Sequence, residues 1–166
     1  YYTDKEFEAI LRASPEWFQH FMIVARYTGA SVADILAFRF SKDSVNIFTK
    51  TTSYRGIKSG VPIKMKIHPR LMETLIRLRK NSLIFNPPNK KAFCRQTQRT
   101  LKRICEKLGL RYVPPKSIRV KTLTDLAKKN RPEVVRDLAG HSSFKTTHDY
   151  YIKSSDDETE SAILGL

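Results

Sequence analysis

Lys116-Ser117-Ile118-Arg119-Val120-Lys121 opens a segment that closes, after Leu138-Ala139, on Gly140-His141-Ser142-Ser143-Phe144-Lys145-Thr146-Thr147-His148-Asp149-Tyr150-Tyr151. It gathers two cations suited to a phosphate (Lys116 and Arg119), a histidine behind a glycine, and a tyrosine nine positions after that histidine. Each of these residue types has a use in phosphoryl transfer. Arginine and lysine hold non-bridging oxygens, histidine donates a hydrogen bond, and a tyrosine hydroxyl can attack phosphorus.

The rest of the chain reads as mainly helical around one small sheet. Thr3-Asp4-Lys5-Glu6 has the form of a capping box, and Phe7, Ile10 and Leu11 follow at helical spacing. Ser14-Pro15 starts a second helix with proline in its first turn; Trp17, Phe18, Phe21, Met22 and Ala25 face inward and Gly29 stops it. A third helix is predicted over 31–38, with Ile35 and Leu36 inward. The period then changes. Residues 44–48 read as a strand, and Val61, Ile63, Met65 and Ile67 alternate with Pro62, Lys64 and Lys66 as in a half-buried strand. Between them, 49–60 is a polar, basic excursion, so a small antiparallel sheet with a basic tip is expected. His68-Pro69 opens a helix with Leu71, Leu75, Ile76 and Leu78 inward. A longer one is predicted over 91–108 with Phe93, Leu101, Ile104 and Leu108 inward. Tyr112-Val113-Pro114-Pro115 connects it to helices carrying Ile118, Leu123 and Leu126, then Val134, Val135 and Leu138. Gly140 ends the second of these, and a final helix carries Tyr150.

The chain of 166 residues suits one domain, and its 31 Lys+Arg against 16 Asp+Glu give a formal charge of +15. That excess calls for a polyanionic partner, with nucleic acid ranked well above a membrane surface. No stretch approaches the roughly 20 apolar residues of a membrane span, and the N-terminus lacks the layout of a signal peptide. Cys94 and Cys105 fall in one predicted helix, 11 residues apart. At a rise of about 1.5 Å per residue they are too distant to bridge, so both read as reduced thiols of an intracellular protein. His20, His68, His141 and His148 lack metal-ligand spacing with them, and no metal site is expected.

Thr28-Gly29-Ala30, Lys58-Ser59-Gly60-Val61, Arg119 and the Gly140–Tyr150 run occur in one order, with Arg119 22 residues before His141. Together they closely resemble the tyrosine recombinases, the phage-integrase family, over nearly the whole chain. The resemblance implies the catalytic-domain fold of that family, an α+β domain with a small antiparallel sheet, over residues 1–166. The N-terminal DNA-binding domain that the family normally carries is absent from this stretch, and the polar start reads as the edge of an excised domain.

By the same resemblance Tyr150 is the nucleophile, forming a 3′-phosphotyrosine and freeing a 5′-hydroxyl with no metal or nucleotide cofactor. Tyr151, about 100° further round a helix, is the fallback. Arg119 matches the arginine of the family's His-x-x-Arg motif, and its forked guanidinium suits a pentavalent phosphorane. Lys116 stands where that motif has histidine; it can donate to a phosphate oxygen but is a poor proton shuttle near neutral pH. Some relatives, archaeal viral ones among them, carry lysine there. His141 would hydrogen-bond the scissile phosphate. Lys58 resembles the hairpin lysine that protonates the leaving 5′-oxygen, with Lys50 its competitor.

Ser31 departs further. The family's first catalytic arginine follows Thr-Gly-x, and here serine follows Thr28-Gly29-Ala30. Losing one transition-state donor costs about 10²–10³-fold, roughly 3–4 kcal/mol. Ser31-Val32-Ala33-Asp34 also reads as a helix cap with its capping-box partner. The chain is then a naturally impaired relative, or a deliberate replacement, or Arg26 or Arg39 supplies the charge. Asp34 falls where the family has an acidic residue.

Arg95, Arg99, Lys102 and Arg103 recur along one predicted helix and Lys121 adds to them, so these are the candidate DNA contacts. The resemblance implies double-stranded DNA as partner and a tetramer on paired sites, with a monomer as the alternative for the isolated domain. It implies site-specific recombination or integration by a viral or mobile element. The other reading is an impaired homologue that only binds DNA.

Overall fold

A computed structural model describes residues 1–36, 38–40, 47–50, 63–66, 68–78 and 85–139, and of residues 39–40, 47–50, 63–66 and 137–139 only the backbone. The described chain is mainly helical.

Helix α1 (Asp4–Ala13) starts on the predicted capping box: Thr3 Oγ1 accepts from the Glu6 amide at 3.2 Å, and the Glu6 carboxylate accepts from the Thr3 amide at 2.7 Å. Those donors hold the Glu6 carboxyl below its usual range. Helix α2 (Glu16–Thr28) has Pro15 at its N-cap rather than inside its first turn. It buries Phe18, Phe21, Met22, Ile23, Val24 and Ala25, so apolar side chains surround much of it, and it packs against α1, α4 and α6. Trp17 meets Phe18 and Phe93 edge-on at 5.3 and 5.7 Å between centroids, extending the aromatic core.

Gly29 ends α2 in the left-handed conformation, φ +62°. Helix α3 is a single turn, Val32–Ile35, shorter than the predicted 31–38. Ile35, Leu36 and Phe38 are all buried. The helix stops because residues 39 and 40 pair with Thr49 and Phe48, and a chain entering that pairing has left helical geometry.

Strands β1 (Arg39–Phe40), β2 (Ile47–Lys50) and β3 (Ile63–Lys66) lie in that order with antiparallel neighbours. The β2–β3 register sets Ile47 opposite Lys66 and Lys50 opposite Ile63. β2 runs past the predicted end at 48 to Lys50, and residues 44–46 of the prediction fall outside the described residues. β1, with two residues, is too short to show a period in sequence.

Helix α4 (Pro69–Leu78) buries Leu71, Thr74 and Leu75. Ile76, expected inward, is 58% exposed. It lies about 100° round the helix from Leu75, and Thr74 occupies the inward place instead. Helix α5 (Lys90–Leu108) buries Phe93, Thr97, Leu101, Ile104 and Cys105. Leu108, also expected inward, is exposed. The helix ends there on Gly109 at φ +65°, with Leu110 N–H bonded to the Cys105 carbonyl at 2.9 Å and Gly109 N–H to that of Glu106 at 3.3 Å. That Schellman closure turns the chain so that Leu110 packs on the core in place of Leu108.

Helices α6 (Lys116–Ala127) and α7 (Pro132–Ala139) complete the described chain. Ile118 and Leu123 are buried. Val135 packs with Leu123 and Ala127, whereas Val134 faces solvent. Gly140, the Tyr150 segment and the tail lie outside the described residues. Both cysteines are free thiols on α5. Among the described residues no helix is long and apolar enough to cross a membrane.

Candidate active site on α3 and α6

Lys116 is the first residue of α6 and Arg119 stands three later, which puts both on one face of the helix. Lys116 is exposed and Arg119 half-buried. Arg119 Nη1 donates to the Gly29 carbonyl at 2.6 Å. Two segments that are 90 residues apart thus meet, and the arginine is fixed against the turn that leads into Ser31.

The close approach at that turn depends on Gly29. A Cβ there would lie 3.3 Å from Thr122 Cγ2, in a left-handed conformation that side chains disfavour. Thr122 Oγ1 lies 2.8 Å from the Arg26 carbonyl and 2.9 Å from that of Ile118, so its one proton is shared between the last turn of α2 and α6 itself.

Ser31 is the N-cap of α3. Its Oγ accepts from the Asp34 amide at 3.2 Å and lies 2.8 Å from Asp34 Oδ2, which also accepts from the Ser31 amide at 3.3 Å. Serine and Asp34 therefore form the cap that the sequence suggested.

Arg26, a candidate replacement cation, is bound elsewhere. Its Nη2 lies 2.6 Å from Asp125 and 3.4 Å from Asp4, and its Nη1 is 3.3 Å from Thr122 Oγ1. Its guanidinium thus joins α2 to α6 and α1. The side chain of Arg39, the other candidate, lies outside the described residues.

Lys121, named above among the candidate DNA contacts, belongs to the same ion-pair network. Its side chain is only 15% exposed, with Nζ 2.8 Å from Asp125 and 3.3 Å from Asp4, and 5.6 Å from the centre of the Tyr1 ring. The i,i+4 pairing with Asp125 sets a carboxylate against the ammonium within the helix. Burial works against the Asp125 charge, but the bonds from Lys121 and Arg26 outweigh it and hold its carboxyl below the usual range.

Arg95, Arg99, Lys102 and Arg103 are all exposed on α5. A pocket of about 310 Å³ beside Lys116, walled by Val32, Cys94, Thr97, Gln98, Pro114 and Pro115, joins that helix to the starts of α3 and α6. Sequence reasoning missed Tyr2. Its buried hydroxyl donates to the Val113 carbonyl at 2.7 Å and accepts from the Val113 amide at 2.6 Å. Burial, then the Cys105 contact, push its pKa up, so it stays protonated. Aromatic spacing alone could place Tyr2 in the core, but not its hydroxyl on a segment 111 residues away. Lys58, His141, Tyr150 and Tyr151 lie outside the described residues, as does the side chain of Lys50.

The phage integrase family model matches residues 1–158, and the chain belongs to that family. No curated protein matches it in sequence. Among solved structures, Tn1549 transposon integrase in complex with a circular intermediate DNA is similar at 15% identity and TM-score 0.74, over 96% of this chain and 64% of that one. A lambda integrase tetramer bound to a Holliday junction is similar at 23% identity and TM-score 0.69, over 90% and 47%. XerA recombinase is similar at 18% identity and TM-score 0.67, over 91% and 58%. At these identities the likeness shows the fold. The chain spans about half to two thirds of the length of these structures.

Proposed function

We propose that the chain is a single catalytic domain of a site-specific DNA recombinase that cuts and rejoins strands through Tyr150, with Tyr151 as the alternative nucleophile. The observation that carries this reading is the Gly29 joint, where α6 brings Arg119 against the turn leading into Ser31. In the proposed step the tyrosine oxygen bonds to the scissile phosphorus and the bond to the 5′-oxygen breaks. The 5′-oxygen leaves with a proton from Lys58 or Lys50. Arg119, Lys116 and His141 hold the non-bridging oxygens. Rejoining is the reverse attack, so neither a metal nor a nucleotide is required.

The strand pairing of β1 to β3 supports the small antiparallel sheet of an α+β domain. The exposed cations of α5 support double-stranded DNA as partner, inside the cell. The DNA-bound tetramer of lambda integrase supports assembly on paired sites.

One observation favours a second reading, a DNA-binding module without cleavage: Ser31 is held as a cap and Arg26 is bound to Asp125, so neither places a charge on the phosphate. A nicked duplex that traps the covalent intermediate decides between them. An adduct lost in Tyr150→Phe supports cleavage. An adduct formed only by Ser31→Arg means a site that lacks one charge. Duplex binding with no adduct from either protein supports the module.

A further inference from the structure

We propose that Tyr2 is a positioning residue for Lys116 and Arg119, acting through the connector between α5 and α6; this rests on the phosphate-holding roles proposed for those two cations. Three parts of the chain meet at its hydroxyl oxygen. Cys105 Sγ of α5 lies 3.3 Å away, and the Val113 amide and carbonyl lie at 2.6 and 2.7 Å. The ring is 4% exposed in the main apolar core, so the hydroxyl is held by packing as well as by its own bonds.

The connector packs on the core through Leu110 and Val113, and its backbone offers few hydrogen-bond donors. Pro114 and Pro115 have no N–H to donate. Helix α6 starts on Pro115 with no side-chain cap. Its first turn is instead closed by the connector's own carbonyls: Ser117 N–H bonds to Pro114 at 2.9 Å and Ile118 N–H to Pro115 at 3.1 Å. The place of Val113 therefore sets the place of Pro114 and Pro115, and they set where α6 begins. Lys116 is three residues beyond Val113. Arg119 lies between this end and the joint where Thr122 and Asp125 bind Arg26. The hydroxyl of Tyr2 thus holds the connector that leads into the helix carrying both cations.

The test is Tyr2→Phe, which keeps the ring and removes the oxygen. Hydrogen exchange should quicken at the Val113, Ser117 and Ile118 amides and stay unchanged at the core amides of α2. Single-turnover adduct formation on the nicked duplex should slow by about tenfold with DNA affinity unchanged, since small misplacements of a reacting group carry large rate costs. In a Lys116→Ala background the same substitution should cost clearly less than in the parent, because only Arg119 is then left to misplace, a coupling that a general loss of stability would not produce. The cycle is run in the Ser31→Arg background if only that protein forms the adduct. Unchanged exchange at the three amides, a rise spread over the whole chain, or full additivity with Lys116→Ala overturns the inference. Absence of any adduct in either background overturns the cleavage reading instead, and the exchange pattern alone then decides the role of Tyr2.

Discussion

Arg119 donates to the carbonyl of Gly29 at 2.6 Å, and a Cβ on the same glycine would press on Thr122 Cγ2 at 3.3 Å. One residue thus both receives the arginine and lets α6 approach α2. Gly29→Ala should destabilise the chain by about 1–2 kcal/mol from the left-handed backbone alone, with the Thr122 contact adding to it. Urea unfolding measures this. A loss under about 0.5 kcal/mol would show that the turn relaxes freely.

Asp125 binds Arg26 and Lys121, both of them mostly buried cations. Asp125→Asn should cost about 1–3 kcal/mol, because two positive groups then share a site with only the exposed Asp4 as counter-ion. The pH dependence has a fixed sign. The folded carboxyl titrates below the ordinary aspartate value of about 3.9. Its contribution is therefore complete above that value and is lost as pH falls through the lower folded one. Stability of the parent minus that of Asp125→Asn should be flat from neutral pH to about pH 5 and shrink below about pH 4. A difference that grows on acidification contradicts the assignment.

Arg99 is exposed on α5, whereas Lys121 is closed into the ion-pair network. Arg99→Ala should lower the slope of log affinity for duplex DNA against log salt by about 0.9. Lys121→Ala should leave that slope unchanged and reduce thermal stability instead. Equal slopes for both variants would mean that burial does not sort these cations.

Ser31 supplies the N-cap hydroxyl of the α3 capping box. Ser31→Ala should cost about 1 kcal/mol in denaturant unfolding, and Ser31→Asp, which can also cap, should restore most of it. If alanine is neutral, the Asp34 contact is incidental to the fold.

The helices were legible where caps and apolar periods agreed, as in α1, α2 and α5. Ile76 and Leu108 were misplaced because a helical period fixes a face only to within a residue, and local neighbours decide which side chain turns inward. Thr74 displaced Ile76, and the Schellman closure at Gly109 displaced Leu108. The Ser31–Asp34 box was legible because its partners are three residues apart. Lys121 looked like one more surface cation. Its pairing with Asp125 was within reach of an i,i+4 reading, but its contacts with Asp4 and Tyr1 were not.

The linear order of Thr28-Gly29-Ala30, Arg119, His141 and Tyr150 already pointed to the family by its resemblance to the family's motifs, which survive as short local patterns in sequence. Periodicity and capping residues, which act over a few positions, determined most of the helices. Only the tertiary structure decided that Arg119 meets Gly29, that Arg26 binds Asp125, and that Tyr2 holds Val113. Each of those contacts joins segments brought together by burial of the shared core around α2, and no local pattern encodes which distant polar groups that burial leaves face to face.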